Sequence, residues 1–176
     1  MKKLLTCILA GAVLAASAGG AGAAIGWAGN IWPVNGNTVP EGTDVGVYFQ
    51  IWKDGVTNNA GQGAGISATL YYGPGGGPYT PVAMTFNVDV GSNDEYTANI
   101  PVAALEGNSE IWFYCEAYDS TDASTYTGAQ DQNNNDPPFM LNITPVLNRD
   151  VTVYFRLCLP PDTDPAYDPA PGNVCV

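Results

Sequence analysis

Apolar and polar residues alternate along most of this chain with a period of two. The alternation is clearest in residues 45–52, 82–90 and 111–118, where every second residue is apolar. Because successive side chains of a β-strand point to opposite faces, this period predicts half-buried strands. Glycine-rich and proline-rich segments separate the runs, which predicts turns between neighbouring strands.

Together these runs predict an all-β fold, an antiparallel immunoglobulin-like β-sandwich over residues 24–145. About seven short strands with turn signals between them are typical of that architecture. We expect the first strand to lie at an edge, because Pro33 and Pro40 follow it and cannot donate hydrogen bonds to a central ladder. One helical turn is expected over residues 103–106, and a long polar loop over residues 119–138.

The alternation restarts over residues 151–157, and a proline-rich stretch follows. We interpret residues 146–176 as a linker and an incomplete second β domain, since a full set of strands already precedes them. On this interpretation the chain is truncated. The alternative is that residues 150–158 add one extra strand to the sandwich and that the remainder forms a disordered tail.

The N-terminus carries the three parts of a secretory signal peptide, residues 1–23. Two lysines follow the initiator methionine, an apolar run comes next, and small residues close the segment. We expect cleavage after Ala23 and a secreted, extracellular or cell-surface protein. A membrane-spanning helix needs ~20 apolar residues, which this run does not reach, so no membrane insertion is expected.

Charge and composition argue against several classes of partner and of catalytic site. Seventeen acidic residues oppose five basic ones, and the net charge of −12 disfavours nucleic acid and anionic lipid as partners. The chain contains no histidine, which excludes serine–histidine and cysteine–histidine catalysis and histidine metal sites. A glycosidase can work with two carboxylates alone, but here they lie mostly in turns and no large cleft is indicated. We therefore expect no enzyme activity.

Aromatic residues of one strand form the candidate binding site. Trp112, Tyr114 and Tyr118 share one face of the strand predicted over residues 111–118. Sugars stack their apolar faces on aromatic rings, so we predict a carbohydrate-binding platform for polysaccharide here. The alternative is ordinary cross-strand aromatic packing. The remaining tryptophans are interpreted as packing or rim residues: Trp27, Trp32 and Trp52.

Oxygen-rich loops are candidate calcium sites. Asp131, Asn133, Asn135 and Asp136 lie close together in the long polar loop, and their side-chain oxygens are the ligand type that calcium prefers. The loop lacks the glycine and glutamate of an EF-hand, so the alternative is a solvated turn-rich loop without an ion. The corner formed by residues 89–95 offers similar ligands, although its Asp94 can instead accept hydrogen bonds from turn amides.

The cysteines divide into two groups. Cys158 and Cys175 flank the proline-rich loop, and an oxidising compartment favours a disulfide between them. Closing that loop would contribute ~3 kcal/mol by the chain-entropy argument. Cys115 falls in the middle of a predicted strand on its apolar side, so we expect a buried thiol.

Four segments resemble an immunoglobulin-like or fibronectin-like accessory module of secreted multidomain bacterial proteins. They are GVT at residues 55–57, GQGAGI at 61–66, YGPG at 72–75 and FNVDVGSNDEY at 86–96. The resemblance implies a module without catalytic residues. In addition, the VTVYFRL and VCV strands of residues 150–176 resemble the start of a starch-binding-type carbohydrate module, whose sugar-binding tryptophans would lie further along.

Two functions follow from these features. The first is a secreted non-catalytic β-sandwich module, carbohydrate-binding or a spacer, of a larger extracellular protein. The alternative is a self-associating cell-surface or filament subunit. That alternative depends on strand addition through residues 150–158 and on an N-terminal strand that can separate from the core, since an exposed strand edge invites pairing.

Overall fold

The computed structural model describes residues 24–146, which are nearly all β as predicted. The predicted signal peptide, the Cys158–Cys175 disulfide and the second β segment lie outside the described residues. The chain divides into two units, Met1–Val146 and Leu147–Val176, and the described residues belong to the first. Its elements are β1 (Trp27–Trp32), β2 (Thr38–Pro40), β3 (Val45–Trp52), β4 (Ile66–Gly73), β5 (Thr80–Val90), β6 (Asn93–Ile100), α1 (Val102–Leu105), β7 (Glu110–Asp119), β8 (Ser124–Tyr126) and β9 (Phe139–Thr144).

The strands form two layers that share β5. One layer has the order β1-β3-β6-β5, and the other has the order β5-β4-β7-β9-β2 with β8 also paired to β7. Residues 80–84 of β5 pair with β4, and residues 85–90 pair with β6, so this strand crosses from one layer to the other. The order corresponds to the two sheets of an immunoglobulin-like sandwich. The described strands pair antiparallel except β2 and β9, which run parallel.

The core lies between the layers and is built from alternate residues of the central strands. In β3, Val47, Phe49 and Ile51 are fully buried, and β7 contributes Phe113 and Cys115 from the other layer. The alternation in the sequence predicts that these residues share one side of each strand, and the structure shows that this side faces inward. Burying each large apolar side chain contributes about 1.5–3 kcal/mol, so these two strands stabilise the sandwich most directly. Cys115 is a buried free thiol, as expected.

Short elements depart from the sequence interpretation. The first strand does lie at an edge, but β2 and β8 fall in segments predicted as turns and loop. Each has only three residues, too few to show a period. The one helical turn is present as α1. Within residues 24–146, no helix has the length and apolar character needed to cross a membrane.

The N-terminal strand is packed into the core, whereas the self-association hypothesis requires that it can separate. Ala28 and Ile31 of β1 are buried among core residues. On the outer edge of β1, the Ile31 amide donates to the Gln130 carbonyl at 3.2 Å and the Gln132 amide donates to the Ile31 carbonyl at 3.1 Å. The backbone groups of Ile31 are therefore already paired and do not offer an edge for strand addition.

A bulge changes the predicted apolar face of β5. The sequence places Phe86 and Val88 on one side, but the register shifts between them: Phe86 lies opposite the inward Tyr96, and Val88 lies opposite Glu95. One extra residue in a bulge reverses the side to which later residues point. Val88 and Val90 are accordingly 47% and 38% exposed. The prediction of one apolar face through residue 90 is wrong beyond Phe86.

Buried polar contacts connect the two layers. Lys53, directly after β3, forms an ion pair with Asp119 at the end of β7, and both side chains are buried. The Lys53 ammonium also donates to the Thr121 hydroxyl at 2.9 Å. In addition, the Tyr96 hydroxyl of β6 donates to the Ile66 carbonyl of β4 at 3.4 Å. This end of the sandwich is thus held together by charge and hydrogen bonds as well as by apolar packing.

Candidate functional site

The predicted platform residues lie together on the solvent side of β7. Trp112, Tyr114 and Tyr118 alternate with the buried Phe113, Cys115 and Ala117, so the strand places all three on its outer face. Tyr71 of β4 lies directly opposite Tyr114 in the ladder. We call this aromatic surface the tyrosine face: Tyr71, Tyr79, Trp112, Tyr114 and Tyr118.

Most rings of the tyrosine face pack against one another. Tyr71 and Tyr114 stack with ring centroids 4.7 Å apart and an interplanar angle of 7°. Tyr79 meets Tyr114 at 83° with a centroid distance of 5.2 Å. Such pairs contribute about 0.5–1.5 kcal/mol each beyond their area burial. The Tyr114 ring thus has aromatic neighbours in two directions, which is the cross-strand packing expected under the alternative interpretation.

Trp112 also contacts neighbouring residues, both on its own strand and in the turn after β4. Its indole nitrogen donates to the Glu110 carboxylate at 3.0 Å. A Cβ added to Gly75 would stand only 2.8 Å from that nitrogen, so the turn after β4 lies against the ring and requires glycine there. Tyr118 differs, because 41% of this residue is exposed. Of the three predicted platform residues, Tyr118 presents the most open ring.

The phenols of this face remain hydrogen-bond donors. Burial raises the pKa of Tyr71 and of Tyr114 above the ordinary value, and the carboxylate of Glu116 raises both further. Because the neutral phenol is favoured, each hydroxyl keeps its proton at neutral pH. Tyr71 and Glu116 are close enough to form a hydrogen bond, so a phenol and a carboxylate lie side by side on this face.

A second aromatic surface, which the sequence interpretation did not assign as a site, covers the opposite layer. Trp27 of β1 lies opposite Trp52 of β3, and Trp32 lies opposite Tyr48. Directly opposed residues of an antiparallel pair point to the same side, so all four side chains share the outer face. We call them the tryptophan face. Trp27, Trp32 and Tyr48 are 39%, 42% and 36% exposed.

A bulge in β1 creates the tryptophan face. Trp27 and Trp32 are five positions apart, and strict alternation would send them to opposite sides of the strand. The register shifts between Gly29 and Trp32, and Asn30 there adopts a left-handed φ of 55°. Asparagine tolerates this conformation better than most residues. The extra residue returns Trp32 to the side of Trp27. The Gly29-Asn30 pair was the one sequence signal of this bulge.

Two glycines let the indoles lean over the backbone. A Cβ on Gly26 would come within 2.4 Å of a ring carbon of Trp52, and one on Gly29 within 2.9 Å of a ring carbon of Trp27. Any larger residue would push these rings away from the strand. With glycine, one part of each ring rests on the chain while Trp27 keeps an open side toward solvent. The face therefore offers extended ring surface.

A polar strip runs beside the tryptophan face. Gln50 donates to the Glu95 carboxylate at 3.2 Å and accepts from the Asn93 amide at 3.3 Å. The Asn87 amide, at the bulge of β5, donates to the other Glu95 oxygen at 2.8 Å. Gln50 is only 8% exposed, so its orientation is fixed by these bonds. The strip is a preorganised set of amide and carboxylate groups on the same surface as the rings.

The candidate calcium loop is organised by Asp131. Its carboxylate accepts from the amides of Asn133 and Asn135 at 2.8 and 2.9 Å, from the Asn35 amide at 2.8 Å and from the Asn135 side chain at 2.8 Å. Burial alone would raise the pKa of Asp131, but these bonds outweigh it and lower the pKa. Asp136 instead accepts from Gln130 at 2.9 Å.

Calcium binding at this loop stays a prediction. Among the described residues, no three acidic or cysteine side chains are grouped as a metal site. An ion held by Asp131 would have to displace N–H donors that already occupy both oxygens. Melting temperatures measured in calcium and in EDTA test this prediction. If an ion binds at Asp131, the melting temperature should be higher in calcium.

The acidic corner of residues 89–95 binds the backbone of the glycine-rich loop before β4. Asp94 accepts from the Gly63 amide at 2.6 Å, as expected for a turn-binding aspartate, and Asp89 accepts from the Gly61 amide at 2.9 Å. Asp94 is fully buried and its second oxygen has no partner among the described residues. Burial raises the pKa of Asp94, although the Gly63 bond acts in the opposite direction.

A cleft lies beside the tyrosine face. It has a volume of about 290 Å³ and lies between the end of β4 and the turn before β7, with Tyr72, Thr80 and Asn108 in its lining. Among residues 24–146, Glu110 is the one carboxylate that lines it. A glycosidase of the usual kind needs two carboxyl groups flanking the bond. This cleft does not provide that pair.

Comparison with known proteins shows similarity to segments of amylopullulanases. No protein-family model matches it. The chain is 31% identical to an amylopullulanase of Thermoanaerobacterium saccharolyticum over 43% of this chain and 8% of that protein. It is 32% identical to an amylopullulanase of Thermoanaerobacterium thermosulfurigenes over 43% of this chain and 5% of that protein. The similarity therefore covers small segments of much longer proteins.

Proposed function

We propose that this chain is a secreted, non-catalytic module of a larger carbohydrate-active protein and that it binds neutral polysaccharide through aromatic rings on its sheet surfaces. The observation that carries the proposal is the outward row of Trp112, Tyr114 and Tyr118 in a chain similar to segments of amylopullulanases. Stacking on exposed rings needs no cleft, so a sheet surface is sufficient. Tyr118, with Glu116 two residues before it, is the most open contact of that row.

The lack of catalysis is supported by what the buried carboxylates do. Asp94 holds the glycine loop, Asp119 pairs with Lys53, and Asp131 organises its own loop. Each is committed to a structural contact, and none lines the cleft described above. We expect incubation with starch, glycogen or pullulan to release no reducing ends; sustained release would assign an enzyme activity and contradict this part of the proposal.

Affinity electrophoresis tests the binding. The acidic chain should migrate readily in a native gel, and we expect starch, glycogen or pullulan in the gel to slow it. Tyr118→Ala should weaken that retardation. Val146→Ala is the matched control, because Val146 is similarly exposed at 42% and lies on neither aromatic face. Unchanged mobility of the unsubstituted protein in every polysaccharide would remove the binding function and leave a spacer module.

A further inference from the structure

We infer that the tryptophan face is a stacking site for an extended chain of neutral sugars, an inference that rests on the proposed function and assigns it a second surface. Trp52 and Trp27 lie at one end of the β1–β3 pair, and Trp32 and Tyr48 at the other. Trp32 and Tyr48 also contact each other, with ring centroids 6.0 Å apart. The rings thus follow the length of β1, which suits a linear chain better than a single sugar.

The charges of residues 24–146 disfavour an anionic occupant. Lys53 is the one basic residue in the described range 24–146, and it is 1% exposed. The described surface accordingly offers no cation to a phosphate, a nucleic acid or an acidic polysaccharide, whereas Glu95 on this face would repel them. A neutral ligand meets no such penalty.

The polar strip supplies what sugar hydroxyls require. Gln50, Glu95, Asn93 and Asn87 bond to one another and stay in place without a ligand. Asn87 and Glu95 are at least partly exposed, so a hydroxyl can donate to the carboxylate or accept from an amide. A purely apolar protein partner would bury this strip without matching it, which costs free energy. Rings beside fixed polar groups match the alternating apolar faces and hydroxyls of a polysaccharide.

The distribution of tryptophans permits a direct test. The chain has four, of which Trp112 is the one on the tyrosine face. In Trp112→Phe, every remaining indole belongs to the tryptophan face. We expect starch, glycogen or pullulan to change the emission of Trp112→Phe and to protect its indoles from N-bromosuccinimide. If glycans slow the protein in gels but leave these signals unchanged, the inference is wrong and the proposed function stands.

A double substitution measures the contribution of the site. Trp27→Ala/Trp32→Ala should weaken glycan affinity about tenfold, the effect of losing roughly one stacking contact's free energy. Circular dichroism should show an unchanged fold, with Val146→Ala as the control. Wild-type affinity in the double variant would overturn the inference. The inference would also be overturned if the double substitution changed the sedimentation coefficient but not the glycan affinity, because the occupant of the face would then be a second copy of the chain. Absence of any glycan binding by the unsubstituted protein would instead remove the proposed function together with this site.

Discussion

The two outer faces of the sandwich both carry aromatic residues, and they use them differently. On the tyrosine face, Tyr114 is enclosed by the stacked Tyr71 and by Tyr79, and Trp112 is held by Glu110. On the tryptophan face, Trp27 and Trp32 remain 39% and 42% exposed. Rings that pack against one another stabilise a sheet, which leaves Tyr118, 41% exposed, as the open ring of the tyrosine face, whereas the tryptophan face keeps several rings open beside polar groups. Aromatic content alone does not separate these roles.

The largest expected effect concerns the connection between the two layers. Lys53→Met leaves Asp119 buried without its ion-pair partner, and we expect a loss of about 3–5 kcal/mol in the free energy of unfolding. Urea denaturation measures it. The double variant Lys53→Met/Asp119→Leu should recover much of that loss, because no unpaired charge remains. A loss below about 1 kcal/mol in the single variant, the range of exposed pairs, would contradict the buried pairing.

A smaller effect distinguishes the faces directly. Tyr114→Ala removes two aromatic pairs and should cost about 1–3 kcal/mol of stability. Trp32→Ala removes one tilted pair of a residue that is 42% exposed and should cost less, about 1 kcal/mol. Thermal or urea unfolding of the two variants provides the comparison. If Trp32→Ala proved more destabilising than Tyr114→Ala, the tryptophan face would be a packing surface, and the proposed difference between the two faces would be wrong.

The free energy of unfolding at acidic pH should depend on Asp119, at the end of β7 in the layer that carries the tyrosine face. Burial raises its pKa, but hydrogen bonds from Lys53 and Thr121 outweigh burial and lower the pKa below the ordinary value. A depressed folded-state pKa gives stability that is present above the unfolded-state pKa and lost as the pH falls through the folded-state value. We expect Lys53→Met/Asp119→Leu to lose less stability on acidification than the unsubstituted protein. Equal losses would assign acid unfolding to other groups.

The smallest expected effect concerns Asp94 of β6, in the layer that carries the tryptophan face. Its pH dependence runs opposite to that of Asp119. Its pKa is raised by burial, so its contribution to stability falls as the pH rises from its unfolded-state pKa through its folded-state pKa. Asparagine can accept the Gly63 amide bond without ionising. Relative to the unsubstituted protein, Asp94→Asn should therefore gain stability as the pH is raised from acidic to neutral. Melting temperatures across that range provide the test, and a constant difference would show that Asp94 does not titrate there.

The sequence predicted the general architecture because its signals are local. Alternation in residues 45–52 and 111–118 predicted the two sides of β3 and β7 but not which side is buried, and proline placed the first strand at an edge. That Trp112, Tyr114 and Tyr118 share one side followed from the same period, whereas their outward position is a finding of the structure. What each ring then contacts depends on β4 and on the Gly75 turn, which are distant in sequence, so their packing could not be read from the alternation.

The sequence by itself determined a β fold with a buried apolar side on each long strand, since a period of two follows from backbone geometry. Only the tertiary structure decided which outer residues share a face. The bulge at Asn30 brings Trp27 and Trp32 to one side despite their odd spacing, and the bulge after Phe86 sends Val88 outward despite its even spacing. A single unpaired residue reverses every later side chain, and where it occurs is set by pairing with a neighbouring strand.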